Sequence, residues 1–224
     1  MALAGSSCTA MPAAAKTPSE KADVLLSGLI QANEPGFAVL VAQDGKILFE
    51  KGYGLADREH GVPVTPQTIF RIASVTKQFT ASAILKLQEE GKLSVDDKLS
   101  KYIPDFPHGD EVTLRQLLTM SGGFRNVPTT DPASHYMQLH YGSDVEAIAA
   151  AAPVAYPPGQ DWAFDNDNLH GIGLVVERAT GLAYAEDVSR RLWQPLGARQ
   201  DAYVTVDAAG SARTGGGTGS LSSS

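Results

Sequence analysis

At 224 residues, with 43% apolar and 19% charged side chains, the chain has the composition of an ordinary globular protein of one or two domains. Its formal net charge of −7 argues against nucleic-acid binding, and no apolar run approaches the roughly 20 residues of a membrane span. The single cysteine, Cys8, excludes an intrachain disulfide and a cysteine-built metal cluster.

Residues Met1 to Lys16 are rich in Ala, Ser and Pro without a period. Pro12-Ala13-Ala14-Ala15 looks like the small-residue end of an export signal, which implies a periplasmic or secreted protein. An unstructured extension accounts for the same residues. Ser19 to Asn33 reads as a helix whose buried stripe is Val24, Leu25 and Leu29, with Ile30 at its edge. Phe37 to Ala42 and Lys46 to Phe49 are short apolar runs on either side of Asp44-Gly45, a strong hairpin signal. Phe70 to Ala73 is an extended approach to a helix with Phe79, Ala83, Ile84 and Leu87 at helical spacing and Gly91 as its stop. From there the chain is mostly helical. Thr113 caps Leu114 to Met120, Ser143-Asp144-Val145-Glu146 opens an Ala-rich helix, and Leu169 to Thr180 ends at Gly181. Tyr184 to Trp193 ends at Pro195-Leu196-Gly197, and no internal repeat is visible.

Chemistry concentrates at Ser74-Val75-Thr76-Lys77, where a helix begins. Residues at i and i+3 share a helix face, so Lys77 projects beside Ser74. A serine hydroxyl becomes a nucleophile when a neighbouring base takes its proton, and a lysine of lowered pKa can be that base. The helix N-terminus offers backbone N–H groups, that of Ser74 included, to a developing oxyanion. Ser-x-x-Lys alone is weak, because an N-cap serine followed by a solvated lysine has the same form.

An ordered series strengthens it. Gly52-Tyr53-Gly54-Leu55-Ala56-Asp57, the block from Thr68 to Ala83, Leu93-Ser94-Val95-Asp96-Asp97 and Val112 to Leu118 together resemble the serine β-lactamase-related hydrolases. That family includes class C β-lactamases, D,D-peptidases, D-aminopeptidases and esterases. The resemblance runs from about Gly36 to the last residue. It implies an α+β, β-lactamase/transpeptidase-like fold: an antiparallel sheet flanked by helices, a separate helical domain, and an active site between them. It implies Ser74 as nucleophile, Lys77 as base, no cofactor and no metal. The expected parts are an extension over 1–16, helix and hairpin over 17–73, a mostly helical domain over 74–197, and a return segment with a glycine- and serine-rich end over 198–224. In the family three further strands and a helix follow, so the resemblance implies a chain truncated at its C-terminus. An open edge at the Lys46 to Phe49 strand would then invite self-association.

The resembling enzymes carry Tyr-x-Asn or Ser-x-Asn on a loop facing the nucleophile. Between Pro157-Pro158-Gly159 and Gly173 to Gly181 the motif falls on Phe164-Asp165-Asn166. Asn166 is expected to orient substrate or Lys77. Phe164 stands in the tyrosine slot and has no proton to give or take. Either Lys77, alone or with Asp165 or Asp167, manages the proton transfers of an impaired hydrolase, or the chain is a non-catalytic relative that binds peptide or cell-wall fragments. The plainer reading makes Asp165 and Asp167 solvated loop residues. Trp162, beside this motif, is a candidate to line the substrate cleft, and Trp193 is expected in the core.

The family's third motif, Lys-Thr-Gly or an equivalent, has a superficial match in Arg213-Thr214-Gly215, but that stretch lacks the alternation of a strand. No Gly-x-Ser-x-Gly elbow and no Gly-x-Gly-x-x-Gly phosphate turn is present. The five histidines, His60, His108, His135, His140 and His170, form no i,i+4 pair and are expected on the surface or in loops. Leu192 to Gly210, especially Asp201 to Asp207, is more similar to the esterase and aminohexanoate-oligomer hydrolase branch, which favours an ester or amide substrate over a β-lactam.

Overall fold

A computed structural model describes residues 17–106, 108–125, 131–135, 137–138, 144–198 and 220–221. Cys8, the N-terminal extension, His140, the segment 201–207 and Arg213-Thr214-Gly215 lie outside the described residues. The chain divides into two compact units, Met1–Thr68 and Ile69–Ser224.

In the first unit, Thr17 opens helix α1 (Pro18–Ser27) with a reciprocal cap: its hydroxyl accepts from Glu20 N–H, and its own N–H donates to the Glu20 carboxylate. Gly28 ends the helix, well short of Asn33. Strands β1 (Phe37–Gln43) and β2 (Lys46–Tyr53) form the expected antiparallel hairpin, with a bulge between Val41 and Ala42. Asp44 at φ 49° and Gly45 at φ 73° make the tight turn, which needs two positive φ angles in succession. Strands β3 (Leu55–Asp57) and β4 (Val62–Pro63) form a second small pair.

The buried stripe expected on α1 is not buried. Val24, Leu25 and Leu29 are 57%, 69% and 62% exposed. The helix meets β2 through polar atoms instead: Asp23 accepts from Lys51 Nζ at 2.7 Å and Tyr53 OH at 2.8 Å, and Ser19 Oγ donates to the Leu48 carbonyl. Periodicity specifies an apolar face but not what covers it. Leu40, Ile47 and Leu48 of the hairpin are likewise more than half or half exposed, at 57%, 59% and 50%.

In the second unit, β5 (Phe70–Arg71) pairs antiparallel with β6 (Ser220–Leu221) and leads through a tight turn, Ala73–Val75, into α2 (Thr76–Glu89). Helices α3 (Leu114–Leu118), α4 (Val145–Ala150), α5 (Asn166–Thr180) and α6 (Tyr184–Val188) follow, the last continued by a π-helical turn, Ser189–Trp193. Thr113 caps α3 with Gln116, and Asp144 caps α4. Helix α5 packs against α2, α3, α4 and α6, and every residue from Asp167 to Val176 is buried. Its middle, Leu169 to Val176, is apolar apart from His170, and burial of that run gives the helix a central place. Ile84 and Leu87 of α2, Leu114 and Leu117 of α3, and Ile172 and Val175 of α5 share the core. Trp193 is buried as expected, its ring 4.3 Å from that of Phe79. No described helix is long and apolar enough to cross a membrane.

Candidate active site

The site begins with a strained turn. Ala73 has φ 44°, in the left-handed region that costs a non-glycine residue about 1–2 kcal/mol. The bend ends the extended run of β5 and starts the helical turn at once, leaving Ser74 exposed at its tip. One turn on, Lys77 Nζ lies 3.1 Å from Ser74 Oγ. The same Nζ donates to Asn166 Oδ1 at 2.7 Å, so α5 contributes the third member of the set. Lys77 is half-buried. Burial pushes its ammonium down to about 8, while the Asp165 carboxylate pulls it the other way. A lysine with that value is neutral in roughly one molecule in ten at pH 7, against less than one in a thousand at its ordinary value.

Asn166 is not on a loop, as the sequence suggested. It is the first residue of α5, which starts three residues earlier than Leu169 because Asp165 caps it: the Asp165 carboxylate accepts from Asp167 N–H at 2.7 Å. Asp165 and Asp167 are therefore not solvated turn residues. They are 2% and 0% exposed. The Phe164 ring sits beside the lysine, its centroid 4.9 Å from Lys77 Nζ. It supplies a π face that favours the charged lysine and no proton. Trp162 is 63% exposed two residues earlier and stands outside the Ser74–Lys77–Asn166 hydrogen bonds.

Two histidines also depart from expectation. His170, 2% exposed, uses Nδ1 to bond the Asn166 carbonyl one turn back. His135 places Nε2 2.8 Å from Oδ1 of the buried Asp167. The i,i+4 spacing of Asn166 and His170 was visible in the sequence; the His135–Asp167 pair, 32 residues apart, left no local signal. Among the described residues no group of three or more His, Cys, Asp or Glu could hold a metal ion.

The Beta-lactamase family model matches residues 21–222. Esterase EstB of Burkholderia gladioli is 35% identical over 188 residues, which are 77% of this chain and 48% of EstB. A D-stereospecific amidohydrolase from Streptomyces sp. has a similar structure, with TM-score 0.64 and 26% identity over 82% of this chain and 56% of that one. A class C β-lactamase, similar in fold with TM-score 0.71 at 24% identity, matches 94% of this chain and 63% of its own. The chain spans about half or less of the length of the curated relatives it matches.

Proposed function

This chain belongs to the β-lactamase family and has the β-lactamase/transpeptidase-like fold, and from that premise we propose that it is a serine hydrolase that forms an acyl-enzyme on Ser74. One observation carries the reading: a half-buried lysine amine within 3.1 Å of an exposed serine hydroxyl, steadied from the other side by Asn166. Neutral Lys77 takes the Ser74 proton as Oγ attacks the substrate carbonyl, while its N–H stays on Asn166 Oδ1. The backbone N–H of Ser74, at the start of a helical turn, faces the developing oxyanion. The resulting ammonium returns its proton to the leaving group. Water then releases the acyl group with Lys77 again as base.

Substrates are carboxylic esters, amides or D-amino-acid peptides. An ester is the first to test, because EstB is an esterase and the resemblance of Asp201 to Asp207 leans to that branch. The periplasmic or secreted location suggested by Pro12 to Ala15 belongs to the same proposal. So does self-association through the exposed apolar side chains of the hairpin.

Phe164 favours a second reading, a non-catalytic relative that keeps the site to bind peptide or cell-wall fragments, because the residue beside Lys77 cannot relay a proton. A chromogenic nitrophenyl ester separates the two. The hydrolase reading expects nitrophenol release that disappears in Ser74→Ala; equal release from both proteins leaves only the binding reading.

A further inference from the structure

We propose that His135, through Asp167, is a positioning residue of this site: it fixes the first turn of α5 so that Asn166 stays on Lys77, and its charge offsets the carboxylates that would otherwise hold the lysine in its ammonium form. The inference rests on the hydrolase reading above.

The geometry is specific. Asp165 and Asp167 flank Asn166 and are both buried, at 2% and 0% exposed. Two buried carboxylates two residues apart need compensating charge. The N-terminus of α5 supplies part of it, since the Asp165 carboxylate takes the Asp167 N–H at 2.7 Å. His135 supplies more, with Nε2 2.8 Å from Asp167 Oδ1 and a side chain only 16% exposed. The charged groups acting on the imidazole are Asp167 in the first turn of α5 and Asp165 at its N-cap; Lys77 on α2 feels the same Asp165. Burial alone would push the His135 imidazole down, but the Asp167 hydrogen bond and the two carboxylates together raise it above the ordinary histidine value. Asp165 therefore acts on two cations. When His135 is protonated, less of that negative field falls on Lys77, and the lysine gives up its proton more readily. When His135 is neutral, more of the Asp165 field falls on Lys77 and favours its charged form.

Coupling of this kind makes the effect pH-dependent in a way that a packing role is not. The test measures the rate at which a fluorophosphonate probe labels Ser74 in the full chain, by intact mass, between about pH 6 and pH 10. His135→Gln keeps a hydrogen-bond donor for Asp167 and removes the charge. Labelling at about pH 6.5, where His135 is charged, should fall about 3- to 10-fold, as a rise of about 0.5–1 in the lysine value requires. At about pH 9.5 the two proteins should label equally. His135→Lys, which keeps a cation throughout, should restore the rate at about pH 6.5. A reduction by the same factor at every pH, unrelieved in His135→Lys, would make His135 merely structural and overturn the inference. If wild-type Ser74 takes no label at any pH, the hydrolase reading fails first, and the two failures stay distinct.

A reciprocal measurement covers the case in which His135→Gln does not fold. Linkage requires that Lys77 affect His135 as His135 affects Lys77. In Lys77→Met the NMR titration midpoint of His135 should rise, because a competing cation has gone. An unmoved midpoint contradicts the coupling.

Discussion

Phe164→Tyr offers the sharpest local test of how the protons move. The ring lies 4.9 Å from Lys77 Nζ and the residue is 56% exposed, so an added hydroxyl reaches water and leaves no buried polar atom unpaired. The change should cost folding no more than about 0.5 kcal/mol, as for other exposed substitutions. A positioned acid–base group is worth about 10²- to 10⁴-fold, and 10²-fold is about 2.7 kcal/mol of barrier. Phe164→Tyr should therefore raise kcat/KM for a nitrophenyl ester by about 10²-fold or more at neutral pH. Phe164→Leu is the control: it removes the π face, worth about 0.5–1 kcal/mol to the charged lysine, and should change the rate by no more than about 5-fold. A folded Phe164→Tyr protein with an unchanged rate would refute the placement of Phe164 in the proton path.

With Lys77 depressed to about 8, kcat/KM should climb about tenfold per pH unit and level off above about pH 8; a climb continuing past about pH 10 would mean that the lysine keeps its ordinary value. Asp165→Asn keeps an oxygen to cap α5 but removes the charge that raises Lys77, so the whole limb should move to lower pH. An unmoved limb in the capped, folded variant would show that Asp165 does not act on the lysine. At Ala73, φ 44° makes Ala73→Val costly, about 2 kcal/mol or more in a urea melt, while Ala73→Gly should be near neutral because relief of strain is offset by chain entropy. Equal stability of the Val and Gly variants would remove the strained turn from the account.

The part of the site that was legible in the sequence is the part held by local geometry. Ser74 and Lys77 meet because three residues is nearly one helical turn, and that holds wherever the helix goes. Asn166 followed from the order of motifs along a resembling family, and the structure brings it to 2.7 Å from Lys77. The contacts that were not legible are between distant segments or depend on burial. His135 and Asp167 are 32 residues apart, and nothing in either neighbourhood marks the pair. Asp165 reads as a turn residue because Asp is common in turns and at helix caps alike; only packing decides that this cap is buried. Ala73 carries no glycine to announce a positive φ. The α1 stripe failed for a related reason: amphipathic spacing predicts a face, and here α1 meets β2 through Asp23 and Ser19 instead.

The central claim is that Ser74 is an activated nucleophile. The most direct measurement is peptide mapping after exposure of the full chain to a fluorophosphonate probe, beside Ser74→Ala and Lys77→Met. The account predicts one adduct per chain, on the peptide containing Ser74, absent in Ser74→Ala and slowed at least about 10²-fold in Lys77→Met. No adduct between about pH 7 and pH 9, or an adduct that survives in Ser74→Ala, would contradict it.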